Sequence, residues 1–167
     1  ARLGELMTIT LNRTLSGAEN PLFLRADDGP AAIVHFTTDK GLCGGLNLRL
    51  NHSLASFVAA EQTPMRVITV GRKGRDFVLR VGFGLVAEFT ELGDAPGIAA
   101  LRPLCRLLTE MFIHGEVDRV YLCYPQFVSV MMQRPVVERM LPVVPTESAG
   151  AGGSDMLLEP EPTVILD

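Results

Sequence analysis

Residues 31–47, AAIVHFTTDKGLCGGLN, decide how this chain folds. Ala31, Ala32, Ile33, Val34 and Phe36 form a near-continuous apolar run over Ala31 to Thr37, the pattern of a strand covered on both faces. The run leads through Thr37, Thr38 and Asp39 into Lys40-Gly41-Leu42-Cys43-Gly44-Gly45, a charged, glycine-rich turn. Directly after it, Leu46, Leu50, Leu54, Phe57 and Val58 recur at helical spacing, which predicts a helix from about Leu46 to Gln62. Strand, bare turn and helix in direct succession place nearly naked backbone at one end of a sheet. Such a turn serves either an anionic ligand, drawn to the amides at a helix N-terminus, or a neighbouring protein.

Outward from this stretch, strands and helices alternate. On the N-terminal side, Leu3, Met7, Leu11 and Leu15 step by four and draw an apolar helical stripe, and Ser16 to Pro30 reads as loop. On the C-terminal side, Pro64 breaks the chain and Arg66 to Val70 is a short β-branched strand. Gly71 to Val81 predicts a basic helix, with Phe77, Val78 and Val81 inward and Arg72, Lys73, Arg75 and Arg80 in solvent. Gly82 and Gly84 end it, and Leu85 to Leu92 is a third strand. After a turn at Gly93, Pro96 and Gly97, a helix buries Ile98, Leu101, Cys105, Leu108 and Phe112, and Gly115 stops it. Arg119 to Tyr124 is a fourth, buried strand. From Phe127 to Leu141 apolar and polar residues alternate, as in one long strand or a bent pair, with Pro135 confined to an edge or bulge. Thr146 to Ser154 is a glycine-rich loop, Asp155 to Glu159 is extended, and Pro160 and Pro162 open a last helix. The expected fold is α/β: a doubly wound, mostly parallel sheet with an antiparallel edge strand. It is one domain over residues 1–167, with 1–15 and 160–167 as truncated ends of longer helices.

A chain of 167 residues suits one domain, and 47% hydrophobic with 20% charged residues is enough apolar content for a core. No apolar run approaches the ~20 residues that cross a bilayer. The net charge of −4 speaks against nucleic acid, which a basic face usually meets. Cys43, Cys105 and Cys123 are odd in number and widely spaced; this is neither a disulfide framework nor a zinc pattern, and it fits a reducing compartment.

Enzyme readings of the turn fail on spacing. A dinucleotide fingerprint reads G-x-G-x-x-G and needs an acid after the second strand, but here the turn reads G-x-x-G-G and the strand ends Thr69-Val70-Gly71. A P-loop needs Lys-Ser or Lys-Thr after its last glycine, where this chain has Leu46-Asn47. Cys43 near a helix N-terminus could be a nucleophile, but neither His35, His52 nor His114 stands in a recognisable pair with it. No two His or Cys stand at metal-ligand spacing. The glycines then read as a tight turn, and Gly45 is expected to need positive φ, so that Gly45→Val would destabilise the domain.

Thr37-Thr38-Asp39-Lys40-Gly41-Leu42-Cys43-Gly44-Gly45-Leu46-Asn47 closely resembles the signature of the γ subunit of F-type ATP synthases. Further segments resemble the same family in the same order: Gly71-Arg72-Lys73-Gly74-Arg75-Asp76-Phe77, Phe127-Val128-Ser129, Leu141-Pro142-Val143, Leu157 to Pro162 and Ile165-Leu166-Asp167. The resemblance implies a non-catalytic rotor-stalk component, without cofactor or metal. It would couple ion-driven rotation of the membrane c-ring to ATP synthesis or hydrolysis in the β subunits. Implied partners are the α and β subunits, the ε subunit and the c-ring, with no nucleic acid. Implied location is peripheral, on the cytoplasmic face of a bacterial inner membrane or on the corresponding organellar membrane. Lys40, Gly41, Leu42, Cys43, Gly44 and Gly45 would face an acidic loop of β, and Met156, Leu158 and Glu159 would form the foot on the c-ring. The long shaft helices of the family would be present only as stubs. The alternative is a stand-alone α/β enzyme that binds a nucleotide or phosphate at Gly41–Gly45.

Overall fold

The computed structural model describes residues 29–93, 97–129 and 132–142. In chain order the elements are β1 (Ala31–Phe36), α1 (Leu46–Ala60), β2 (Met65–Val70), α2 (Arg72–Val81), β3 (Leu85–Phe89), α3 (Ile98–Ile113), β4 (Arg119–Ser129) and β5 (Met132–Leu141). They build one sheet in the order β3-β2-β1-β4-β5. β1 lies at its centre, parallel to β2 and β4; β3 is parallel to β2, and β5 closes the other edge antiparallel to β4. This is the expected doubly wound α/β sheet with an antiparallel edge.

Every residue of β1 is buried because helices cover both faces. On one face Ile33, Val67 and Cys123 pack with Leu46, Leu50 and Leu54 of α1 and Val78 of α2. On the other, Ala32, Val34, Phe36, Ile68 and Val70 pack with α3. Successive side chains of a strand point to opposite faces, so a continuous apolar run is what a strand between two helical layers requires.

Several element boundaries and faces differ from the sequence reading. β1 ends at Phe36, α1 at Ala60 and β3 at Phe89, where Glu91 and Gly93 take positive φ (62° and 80°) and turn the chain away. In α2, Gly74 and Val78 are buried, but Val81 is 47% exposed. Gly82, at φ 78°, caps the helix immediately after Val81 and leaves its last turn overhanging. α3 buries Leu101, Leu104, Leu108, Met111 and Phe112, whereas Ile98 is exposed and Cys105 half-buried. Its apolar residues spread widely around the helix, so spacing alone allows two faces, and the packing on β1 and β4 selects one. Gly115 stops α3 as expected, at φ 76°.

The long alternating segment resolves into a hairpin. β4 does not stop at Tyr124 but runs on to Ser129, and β5 returns beside it. Pro135 sits on the edge strand opposite Pro125, so the two missing donors coincide at one rung of the ladder. The expected helices at 1–15 and after Pro160, the loop at 146–154 and the extended segment at 155–159 lie outside the described residues.

Candidate functional site

The turn after β1 is held from three sides. The Thr37 amide donates to the Val70 carbonyl at 2.7 Å, and the Thr37 hydroxyl oxygen accepts the Gly74 amide at 2.8 Å. Asn47, in the first turn of α1, clamps the next residue: its Oδ1 accepts the Thr38 amide at 3.2 Å, and its Nδ2 donates to Thr38 Oγ1 at 2.8 Å. The same Nδ2 lies 3.0 Å from Cys43 Sγ. Asp39 then ties the turn to two distant loops, accepting the Arg72 amide at 2.9 Å and the Glu91 amide at 3.0 Å. Arg72 closes the triangle by donating to Glu91 at 2.7 Å. The ends of β1, β2 and β3 are thereby fastened to one another.

Beneath the turn, His35 is fully buried and its Nε2 meets Asn51 Oδ1 at 2.8 Å. Burial pushes the imidazole down from 6.5 to about 4, against the opposing pull of the Asn51 bond. The ring is therefore neutral at physiological pH and serves as a strut from β1 to α1. It engages Asn51 rather than Cys43, so it provides no base for a thiol nucleophile.

The turn itself is exposed at Lys40, Gly41, Leu42, Gly44 and Gly45 and half-buried at Cys43. Positive φ falls on Leu42 (63°) and Gly44 (60°). Gly45, which the sequence reading expected to need positive φ, has an ordinary φ of −83°. A Cβ on Gly45 would meet the Arg49 guanidinium at 3.0 Å, a flexible group that can move aside. Leu42 is fully exposed at the tip. Lys73 lies against Gly41, its Cε 4.0 Å from where a Cβ would stand, and Arg49 lies against Gly45. Among the described residues, Lys40, Arg49 and Lys73 join no ion pair. Arg72 is exposed, as the sequence reading expected, and pairs with Glu91; Arg75 is half-buried and pairs with Asp76 and Glu88.

The neighbouring helix end, that of α2, does not make a phosphate cradle. At the N-terminus of α2 the Arg72 amide is taken by Asp39, the Lys73 amide by the Thr38 carbonyl and the Gly74 amide by Thr37. Donors already engaged within the fold are not available to a phosphate. Among the described residues, no three His, Cys, Asp or Glu stand close enough to hold a metal.

The structure brings Lys40 to Gly45 together as one surface; Met156, Leu158 and Glu159 lie outside the described residues. The sequence reading missed Asp39 as the clasp, Asn47 as the clamp, and Arg49 and Lys73 as flanking cations. Only Asn47 carried a local signal, an amide side chain in the first turn after a glycine loop.

What remains is a doubly wound α/β module that presents a stiffened, cationic glycine turn with one exposed leucine. The ATP synthase family model matches residues 2–167 of the chain. The ATP synthase gamma chain of Dehalococcoides mccartyi (strain ATCC BAA-2266 / KCTC 15142 / 195) is 38% identical over 148 residues, covering 89% of this chain and 52% of that relative. The gamma chain of Leptothrix cholodnii is 32% identical over 171 residues, covering 96% and 58%. This chain thus spans about half the length of the curated relatives it matches. In fold it resembles the central stalk and c-ring structure of the Tetrahymena thermophila mitochondrial ATP synthase, at TM-score 0.57 and 15% identity, covering 99% of this chain and 71% of the other. It also resembles the rotor of the Euglena gracilis enzyme, at TM-score 0.54 and 20% identity, covering 97% and 65%. The chain belongs to the family of ATP synthase gamma chains.

Proposed function

We propose that this chain is the globular part of a rotor stalk, itself without catalytic chemistry, that couples rotation of a membrane c-ring to ATP synthesis and hydrolysis in β subunits. What supports the reading is the family match over residues 2–167, joined to a glycine turn that Thr37 and Asp39 clasp to the ends of β2 and β3 and that leaves Lys40, Gly41, Leu42, Gly44 and Gly45 exposed. The partners are α and β, with ε and the c-ring at the foot. Lys40 meets an acidic loop of β, and Arg49 and Lys73 add to the same positive edge, while Leu42 supplies the apolar contact. Met156, Leu158 and Glu159 carry the c-ring contact. Among the described residues, no helix is long and apolar enough to cross a membrane. Membrane association comes through the complex, at the cytoplasmic face of a bacterial membrane.

The test is co-purification of the full-length subunit with α, β and ε, followed by ATPase assay with and without it. The expected result is a stoichiometric complex whose ATPase depends on the subunit. A chain that fails to co-purify, or that by calorimetry binds ADP or NAD at sub-millimolar affinity in a manner abolished by Gly44→Val, would overturn the reading.

A further inference from the structure

Beside the glycine turn, the carboxyl ends of β1, β2 and β3 and the middle of β4 border a cavity of about 640 Å³. That volume falls within the ~300–1,000 Å³ of small-molecule sites. The position is also the one that open α/β sheets give to ligands. β2 and β3 are laid down on one side of β1 and β4 on the other, so the strand order reverses here.

The interior is apolar, walled by Phe36, Leu50, Val70, Phe89, Leu92 and Tyr124. The rim is charged and unequal. Both acids are already occupied: Asp39 by the Arg72 and Glu91 amides, Glu91 by the Arg72 guanidinium. Lys40, on the same rim, joins no ion pair among the described residues. The rim is also set in advance. The two non-glycine residues with positive φ among the described residues are Leu42 and Glu91; Glu91 lines the cavity and Leu42 stands between lining residues Gly41 and Cys43. Such backbone strain persists where surrounding structure enforces it, and it collects at ligand clamps.

We propose that this cavity binds a small amphiphile with an apolar body and a single anionic group, the body among the strand-end side chains and the anion on Lys40. The site is independent of the rotor reading and takes a different ligand from a nucleotide. Several phosphate charges would face an apolar interior, one free cation and an α2 N-terminus whose amides are engaged, which leaves most of that charge uncompensated.

The probe is 8-anilinonaphthalene-1-sulfonate, an aromatic body with one sulfonate, titrated into the 167-residue chain and followed by fluorescence. Near-ultraviolet circular dichroism confirms that the chain stays native. We expect saturable one-to-one binding that dodecanoate displaces and that ADP and dodecyltrimethylammonium do not. Lys40→Gln weakens the probe about five- to tenfold, since an exposed charge contact is worth roughly 1 kcal/mol. Leu92→Trp, which fills the mouth from a half-buried position, abolishes saturable binding. The proposal is overturned by a native chain that gives no saturable signal, by equal displacement with ADP or the cationic amphiphile, or by unchanged affinity in both variants.

Discussion

Gly71→Ala is the sharpest perturbation the fold offers. Gly71 joins β2 to α2 at φ 100°, ψ 141°, a conformation that residues with a side chain rarely adopt. A Cβ there would stand 2.3 Å from the Thr37 carbonyl oxygen, 2.7 Å from its carbon and 2.8 Å from Thr37 Oγ1. Contact distances for such atoms are roughly 3.5 Å, so β1 and β2 must part by about 1 Å at their ends. The backbone conformation costs about 1–3 kcal/mol for alanine, and overpacking adds about 1–3 kcal/mol more. The separation also strains the Thr37 amide bond to Val70 and the Gly71 amide bond to Phe89, at 2.7 and 2.8 Å. The sum is about 4 kcal/mol, a large part of the ~5–15 kcal/mol that holds a domain folded. Urea denaturation followed by circular dichroism measures it, with Gly45→Ala as the control that loses less than ~1 kcal/mol because only the Arg49 side chain must move. If Gly71→Ala unfolds within 1 kcal/mol of the parent, the strand-end geometry argued here is wrong.

Three further outcomes can be checked. Leu104→Ala, at a fully buried position, costs about 2–5 kcal/mol, whereas Ile98→Ala, at a position 67% exposed, costs under ~0.5 kcal/mol; equal losses in melts of the two variants would refute the observed face of α3. His35 is depressed from 6.5 to about 4 in the fold, so the unfolded chain takes up the proton first, and stability, full above pH 6.5, declines as pH falls towards 4. At about 1.4 kcal/mol per tenfold change in proton affinity this reaches about 3 kcal/mol, and His35→Gln should remove that slope from a pH series of urea midpoints. Lys40→Glu combined with Lys73→Glu weakens binding of the full-length subunit to β about tenfold at low ionic strength, in surface plasmon resonance, and the loss shrinks in 1 M salt; a salt-independent loss would mean that charge is not the cause.

The parts of the fold legible in the sequence were those fixed by local chemistry. β1 could be read because a strand between two helical layers has no polar face to show, and Gly115 because a helix end needs a residue at positive φ. The face of α3 could be read only in part: Leu101, Leu108 and Phe112 are buried as expected, but Ile98, Leu104, Cys105 and Met111 are all apolar and the sheet beneath decides among them. Nor could composition tell which of Gly44 and Gly45 takes the left-handed conformation. At the candidate site, Lys40 to Gly45 were found because they are contiguous. Asp39 and Glu91 were not, because their bond spans 52 residues and exists only after β1, β2 and β3 align. Lys73 and Arg49 look in sequence like ordinary solvated cations, and only the docking of α2 and α1 beside the turn sets them at its edges.

The central position of β1 has a mechanical consequence. A pull delivered at the Lys40–Gly45 turn along the strand axis reaches six register partners on β2 and five on β4 together. The ladder bonds lie across that direction on both flanks, so they are loaded in shear and yield as a set; a strand peeled from an edge loses them one at a time. A turn mounted on the middle strand is therefore stiff along its length, and it passes thrust into the sheet with little recoil.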